Sequence, residues 1–385
     1  MSIIGSNDIL VLEKNEGTVR RIVNGVLLKE PLLDVNVANN SNGGMSGIAI
    51  SQHEPKDRGK PIIYVFLYYT ETIPKDGENL EKTQSVINRL YRYELVDNTL
   101  INPTLLLQLP GEPGPRHSGG VVLIGPDKNV YLVIGDVDHR TEAQNIFSNK
   151  ADGTGGVLRM TQDGMPVGKG ILGDTYPLNR YYAYGIRNSF GMDFDPVTGN
   201  LWDTENGNDC CDEINLVEPG FNSGWDKVQG VWQLNDSRMK QRVFKETSDS
   251  DGEDKLVTFK GKGMYSSPEF TWNHSVGPSA LKFLNSDKLG KQYENDIFIG
   301  NVNDQTIYHF DLTNDRRQLL LNGNLTDKIS DSSKEMKGVI FAKGLLRVTD
   351  IEVGPDGNLY VLSHSWDADN QHLRMGTIFR ISKNT

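Results

Sequence analysis

Four stretches of this chain concentrate residue types that move protons, hold anions or ligate cations. The first, RHSGG at residues 116–120, sets His117 beside small residues just ahead of an apolar strand pattern. An imidazole whose unperturbed pKa is about 6.5 suits a general base, and the glycines let a ligand approach it. The same setting also suits a histidine that only makes structural hydrogen bonds. The second stretch, YGIRNSFGMDF, places Arg187 and Asn188 ahead of another apolar strand. A planar guanidinium beside an amide fits a carboxylate, quinone or sugar oxygen, and equally a salt bridge to a neighbouring element. The third, TENGNDCCDEINLVEPGFNSGW at residues 204–225, sets Glu205, Asp209, Asp212 and Glu213 among glycine and asparagine. These are hard oxygen donors of the kind calcium prefers, although the spacing is not that of an EF-hand and a solvated acidic turn competes as a reading. The fourth, GLLRVTDIEVGPDG at residues 344–357, puts Arg347 ahead of its strand where His117 stands ahead of its own. Cys210 and Cys211 are the only cysteines. Adjacent Cα atoms lie about 3.8 Å apart, short of the usual disulfide span, so a strained vicinal bridge and two reduced thiols are both open.

Residues so far apart along the chain need a scaffold that gathers its loops at one end. A repeat supplies it: an acceptor-rich turn, an apolar or aromatic strand, a loop, then a strand of basic or polar alternation. Copies begin near Asp8, Pro61, Asn129, Asn200, Asp296 and Asn358. The turns GPDKN, DPVTGN and GPDGN precede three of them. Proline presets φ there, and Gly or Asn tolerates positive φ, so each reads as a hairpin turn. The pattern predicts an all-β fold, a six-bladed β-propeller with four-stranded blades, forming one domain over residues 1–385. Residues 243–262, rich in Lys, Asp, Glu and Gly, read as a solvated insertion loop. Two packed sandwiches would also explain the strands, but not six copies of one pattern. In a propeller, equivalent loops of different blades face one axis, so His117, Arg187 and Arg347 are expected in one axial cleft.

Composition narrows the classes. Forty Gly, 16 Pro, 13 Phe and 14 Tyr argue against a helical bundle. A net charge of -11 repels a polyphosphate backbone, so nucleic acid is excluded as a partner. The longest apolar run, residues 61–69, falls short of the ~20 residues of a membrane helix, so no membrane span is expected. The opening MSIIGSNDIL lacks the basic and apolar regions of a signal peptide. Two adjacent cysteines can build neither a disulfide framework between distant strands nor a Cys-rich zinc site.

The motifs taken in order, DILVLEKNEGTVRRI, GGMSGIAI, HSGGVVLIGPDKNVYLVIGD, YGIRNSFGMDFDPVTGNLW, DEINLVEPGFNSGW and RVTDIEVGPDGNLYVLSH with GTIFRI, resemble the soluble glucose/sorbosone dehydrogenases. That family includes aldose sugar dehydrogenases that use pyrroloquinoline quinone (PQQ) on a six-bladed propeller. The resemblance implies an oxidoreductase that oxidises the C1 hydroxyl of an aldose to a lactone, with hydride passing to PQQ and calcium assisting. It implies His117 as the base and Arg187 as the group stabilising charge on the quinone oxygen, with Asn188 beside it. By the same resemblance Gly207 and Asn208 hold a calcium ion against the cofactor through their carbonyls. Glu213 and the carbonyl of Ser223 match a second, structural calcium site, and Asn42 stands where the family often has Gln near the sugar. Arg347 belongs to a patch that meets the cofactor, where Asn303 replaces a basic residue and Thr349 a second arginine; Arg116 replaces an acidic neighbour of the base. Partners implied are an aldose and an electron acceptor that the residues do not identify, and the location implied is extracytoplasmic or secreted. The missing cations motivate a rival reading, a non-catalytic calcium-stabilised propeller acting as a binding or scaffold module. A calcium-dependent lactonase would need several carboxylates converging on the axis.

Overall fold

Strands form where aromatic and β-branched residues run between turn formers, and the turns of the repeat show the mechanism most clearly. In the computed structural model, which describes residues 1–39, 42–53, 61–73, 85–112, 114, 117–233, 243–244, 256–365 and 376–383, three turns close alike. Gly125 N donates to Asn129 O at 2.8 Å, Asp195 N to Asn200 O at 2.8 Å and Gly354 N to Asn358 O at 2.9 Å. Lys128, Gly199 and Gly357 take the positive φ these turns need, at 63°, 75° and 75°. Asp127 accepts from Asn129 N and the Tyr131 hydroxyl, both at 3.1 Å. Asp356 does the same with Asn358 N at 3.2 Å and Tyr360 at 3.1 Å. The repeat is therefore a repeat of contacts as well as of letters.

The described chain divides into two compact units: residues 1–188 with 257–263, and residues 189–256 with 264–385. In the first unit, Ser2–Gly5, Asp8–Glu13 and Thr18–Val23 form an antiparallel sheet to which Val26–Leu27 and Leu33–Asp34 both add on Thr18–Val23. Met45–His53, Ile62–Ile73, Ser85–Val96 and Thr99–Pro110 make a four-stranded meander, and Val122–Ile124, Val130–Ile134, Gly156–Met160 and Tyr181–Tyr184 follow in order. In the second unit, Ser189–Phe194, Leu201–Glu205, Asp212–Val217 and Phe270–Trp272 run antiparallel and Ile329–Ser330 joins in parallel. Pro278–Phe283, Ile297–Asn301, Thr306–Phe310 and Ile340–Lys343 form a four-stranded sheet; Arg347–Val353, Leu359–His364 and Gly376–Ile381 form a three-stranded one.

The arrangement is an all-β propeller, but the expectation of six blades of four strands is corrected. Within the units the sheets carry from three to five strands, because their outer positions fill unevenly. Thr18–Val23 takes two short partners, Phe270–Trp272 takes a parallel one, and among the described residues Gly376–Ile381 ends its sheet. Two-residue strands leave no periodicity in a sequence, so the repeat revealed only the long inner strands.

Packing follows the two-residue period of a strand. On Ile62–Ile73, Val65, Leu67 and Tyr69 face a core shared with Leu10, Val19 and Met45, whereas Phe66 and Tyr68 face another with Leu132, Leu158 and Tyr181. On Ile297–Asn301, Ile297 and Ile299 join Trp202 and Trp272, while Phe298 joins Val348 and Val361. A sheet buried on both faces needs apolar residues at every position, which explains the unbroken apolar runs. Of residues 243–262, Val243–Phe244 pairs with Trp232–Gln233 and 245–255 lie outside the described residues. Val257 is buried in the first unit: its amide donates to Asn145 Oδ1 at 3.0 Å, and the Tyr184 hydroxyl donates to its carbonyl. Among the described residues no helix is long and apolar enough to cross a membrane.

Candidate active site

In the first unit the site is organised around the end of strand Val130–Ile134. Gly135 follows it, and a Cβ there would meet His117 O at 2.4 Å, Arg187 O at 2.6 Å and His117 Cβ at 2.7 Å. Only glycine lets both segments close on the strand end. Asp136 N then donates to Arg187 O at 2.9 Å, and the Asp136 carboxylate meets His117 Nδ1 at 2.6 Å. His117 and Arg187, 70 residues apart in the chain, are thus held on two sides of one dipeptide. Asp136 Oδ1 also accepts from Asp138 N at 2.9 Å, which fixes the carboxylate. An ionised Asp136 keeps the proton of His117 on Nδ1 and leaves Nε2 as the basic nitrogen. His117 keeps 16% of its side chain exposed against 5% for Asp136, so the base is reachable and its partner is not. Asp138 completes a trio whose ligand atoms lie within 4.8 Å of one another.

The loop below His117 is fixed from the neighbouring sheet. The Tyr68 hydroxyl donates to Ser118 O at 2.9 Å, Gly120 N donates to Val133 O at 3.0 Å, and Gly47 packs so tightly on Gly120 O that a Cβ would lie 2.0 Å from it. Half-buried Asn42 stands in the turn that leads into that same strand, Met45–His53. Asn188 is buried, and its Oδ1 meets no hydrogen-bond partner among the described residues. A buried amide oxygen left so is costly, and it marks a place for a polar ligand beside Arg187.

In the second unit Asp212 is the organiser. Its carboxylate accepts from Gly207 N at 2.8 Å, Val276 N at 2.7 Å and Gly277 N at 2.9 Å, tying the Gly207 turn to the 275–277 loop. Burial nonetheless pushes its pKa up. Exposed Asn303 rests on this loop, its Nδ2 donating to Ser275 O at 3.4 Å. Cys210 and Cys211 are joined as a vicinal disulfide, buried against Trp232. Asn208 is exposed and bonds Asp209 Oδ2 at 3.2 Å. Arg347, half-buried, opens strand Arg347–Val353, and Thr349 Oγ1 donates to Leu362 O at 3.1 Å within the same sheet.

A separate group of acids lies wholly inside this unit. Glu213 accepts from Gly230 N and from Asn215 Nδ2 at 3.2 Å; Ser223 Oγ bonds Glu205 Oε2 at 2.8 Å and Glu213 Oε2 at 3.3 Å. Asn215 Nδ2 also reaches Asp203 Oδ1 at 3.2 Å. These donors are neutral, so desolvation dominates and raises Asp203 to about 7 and Glu213 to about 8. Among the described residues Asp203 Oδ2 and Asn215 Oδ1 meet no hydrogen-bond partner. A hard-oxygen cage with orphaned acceptors fits calcium chemically. The structure thus brings Glu213 and Ser223 together, through the serine hydroxyl, and adds Asp203, Glu205 and Asn215 to them. Asp136, Gly135 and Asp203 were not singled out in the sequence; their only signal is a carboxylate or glycine at the end of an apolar strand or within it.

One strand end of the first unit thus carries a histidine–aspartate pair, the backbone of a buried arginine and a buried amide. The chain belongs to the glucose/sorbosone dehydrogenase family, whose model matches residues 1–374. It is 28% identical over 261 residues to the aldose sugar dehydrogenase of Escherichia coli, covering 68% of this chain and 60% of that protein. It is 29% identical over 245 residues to quinoprotein glucose dehydrogenase B of Acinetobacter calcoaceticus, covering 58% of this chain and 49% of that one. The chain therefore spans about half to three-fifths of the length of these two relatives. In fold it is similar to the PQQ-bound aldose sugar dehydrogenase of Streptomyces coelicolor, with a TM-score of 0.64 and 21% identity over 98% of this chain and 92% of that one.

Proposed function

We propose that this protein oxidises the C1 hydroxyl of an aldose to the lactone, with PQQ as cofactor and calcium assisting, in an extracytoplasmic setting that suits its oxidised cysteine pair. The observation that carries the reading is the His117–Asp136 pair at 2.6 Å with Arg187 held beside it. When bound, PQQ supplies a two-electron acceptor for the hydride and calcium polarises its carbonyl. His117 takes the hydroxyl proton on Nε2, and Asp136 holds the imidazole in that tautomer and stabilises the imidazolium that forms. Arg187, buried at 9% exposure and tied to Asp136 through its backbone carbonyl, is the charge proposed to stabilise the oxygen that becomes negative. Asn188 Oδ1 accepts from a polar ligand group. Gly207, Asn208, Arg347, Asn303 and Thr349 are proposed as cofactor or calcium contacts, Asn42 as a sugar contact, and Glu213 with Ser223 as the structural calcium site.

The test is a PQQ titration followed by absorbance in calcium, then dye reduction with a panel of aldoses. Saturable binding and sugar-dependent reduction support the reading. A flat spectrum at micromolar PQQ would favour the binding-module alternative, for which one observation speaks: Asn303 and Thr349 spend their side-chain donors on backbone carbonyls.

A further inference from the structure

A second cluster of ligating side chains lies in the second unit, on the sheet of Ile297–Asn301 and Thr306–Phe310. In that antiparallel pair Ile297 faces Phe310 and Phe298 faces His309. Asp296, just before one strand, therefore comes opposite Asp311, just after the other. His309 and Asp311 are two apart, so all three side chains fall on one face. His309 Nε2 lies 2.9 Å from Asp296 Oδ2 and 3.6 Å from Asp311 Oδ1, and the three ligand atoms lie within 4.8 Å of one another. The imidazole is held by rings: Tyr293 edge-on at 4.9 Å between centroids and Phe298 tilted at 5.1 Å.

A hydrogen-bonded histidine–aspartate pair accounts for Asp296; Asp311 comes up against the Asp296 carboxylate as well as the ring, an approach of two carboxylates to one nitrogen that a cation would relieve. Nε2 carries at most one proton and can donate it to one carboxylate, while a second carboxylate converges on the same nitrogen. The guanidinium of nearby Arg316 is already given to Asp195, at 2.8 Å twice, and to Asn295 O. Donors bound at about 2.0–2.1 Å around a tetrahedral ion lie about 3.3 Å apart, and 2.9 and 3.6 Å bracket that spacing. We propose that Asp296, His309 and Asp311 form a binding site for a divalent transition-metal ion, zinc being the probe. Imidazole with two carboxylates suits such an ion and not calcium, which takes oxygen ligands. Three protein ligands leave a position for water, and the ion cross-links the two strands at their ends. This site is independent of the proposed reaction and uses none of its residues.

The test uses the full chain, stripped with chelator, dialysed free of it and returned to millimolar calcium so that oxygen-only sites are filled. Zinc is then titrated by calorimetry into the native protein and into Asp311→Asn, His309→Gln and, as a control for the His117 trio, Asp138→Asn. The expected result is a saturable zinc site that weakens at least about tenfold in Asp311→Asn and His309→Gln and is unchanged in Asp138→Asn. Asp311 is half-exposed, so its variant folds; if His309→Gln does not, Asp311→Asn decides alone. Absence of saturable binding at about 100 μM zinc, well above the range of a built site, or native affinity in Asp311→Asn, overturns the proposal.

Discussion

At the scale of single residues, what matters is which nitrogen of His117 is basic and what charge stands by. Positioned base catalysis is worth roughly 10²- to 10⁴-fold, so His117→Ala is expected to lower turnover by that factor with the circular dichroism unchanged. Under the proposed reaction Arg187→Ala is expected to lower kcat and kcat/KM together, because its charge would be needed most as hydride arrives; a rise in KM alone would show that Arg187 only binds. Gly135→Ala is the sharper probe of geometry. Its methyl would meet both the His117 and the Arg187 carbonyls at 2.4 and 2.6 Å, so activity should fall with neither side chain altered. His117 and Arg187 were legible in the sequence because a histidine among glycines and an Arg-Asn pair are uncommon. Asp136 was not, since an acid after an apolar strand is an everyday feature and only folding brings it 2.6 Å from the ring.

At the scale of elements, strand Asp212–Val217 carries two buried acids in different settings. Asp212 is answered by three backbone amides, and Asp212→Ala would remove the acceptor from all three. At about 1–3 kcal/mol for each buried unsatisfied group, a loss of roughly 3 kcal/mol or more is expected as a lower urea midpoint at unchanged m-value. Glu213 and Asp203 are answered by neutral donors and are raised to about 8 and about 7. In the folded chain they therefore hold protons that the unfolded chain has released above its ordinary carboxylate range. Calcium-free protein should lose stability as pH rises from about 4 through 8, the window between unfolded and folded values. On the proposed calcium reading the ion binds the ionised forms of the folded state only, so it should flatten or reverse that slope and raise the melting temperature most at high pH. Melting curves at pH 5 and 8, with calcium and with chelator, check this; identical curves in both would show the acids to be a cage without a cation. The acidic loop was legible as a candidate from its composition. That its members divide between holding a loop and lining a cage was not, because both roles use the same residue types at neighbouring positions.

At the scale of the whole molecule, the first unit is not one continuous stretch of chain. Residues 257–263 return to it, where Val257 answers Asn145 Oδ1 and the Tyr184 hydroxyl, and Phe259 packs edge-on against Tyr184 at 4.8 Å. A fragment of residues 1–188 would lose both of these hydrogen bonds and the packing of Phe259 and is expected to lack near-ultraviolet circular dichroism and a cooperative melt; a native-like melt would show the return to be dispensable. By themselves the residues of the chain determined the all-β class, the repeated inner strands, the turns that close them and the positions of His117 and Arg187. Each of these is written in local chemistry: a two-residue apolar period, a positive-φ position, a side-chain type. The number of strands in each sheet, the Asp136 partner, the buried cage and the Asp296, His309 and Asp311 cluster were decided by tertiary structure. They depend on edge strands too short to show a period and on side chains that meet only when distant strands pair, and no spacing along the chain encodes a distance across a sheet.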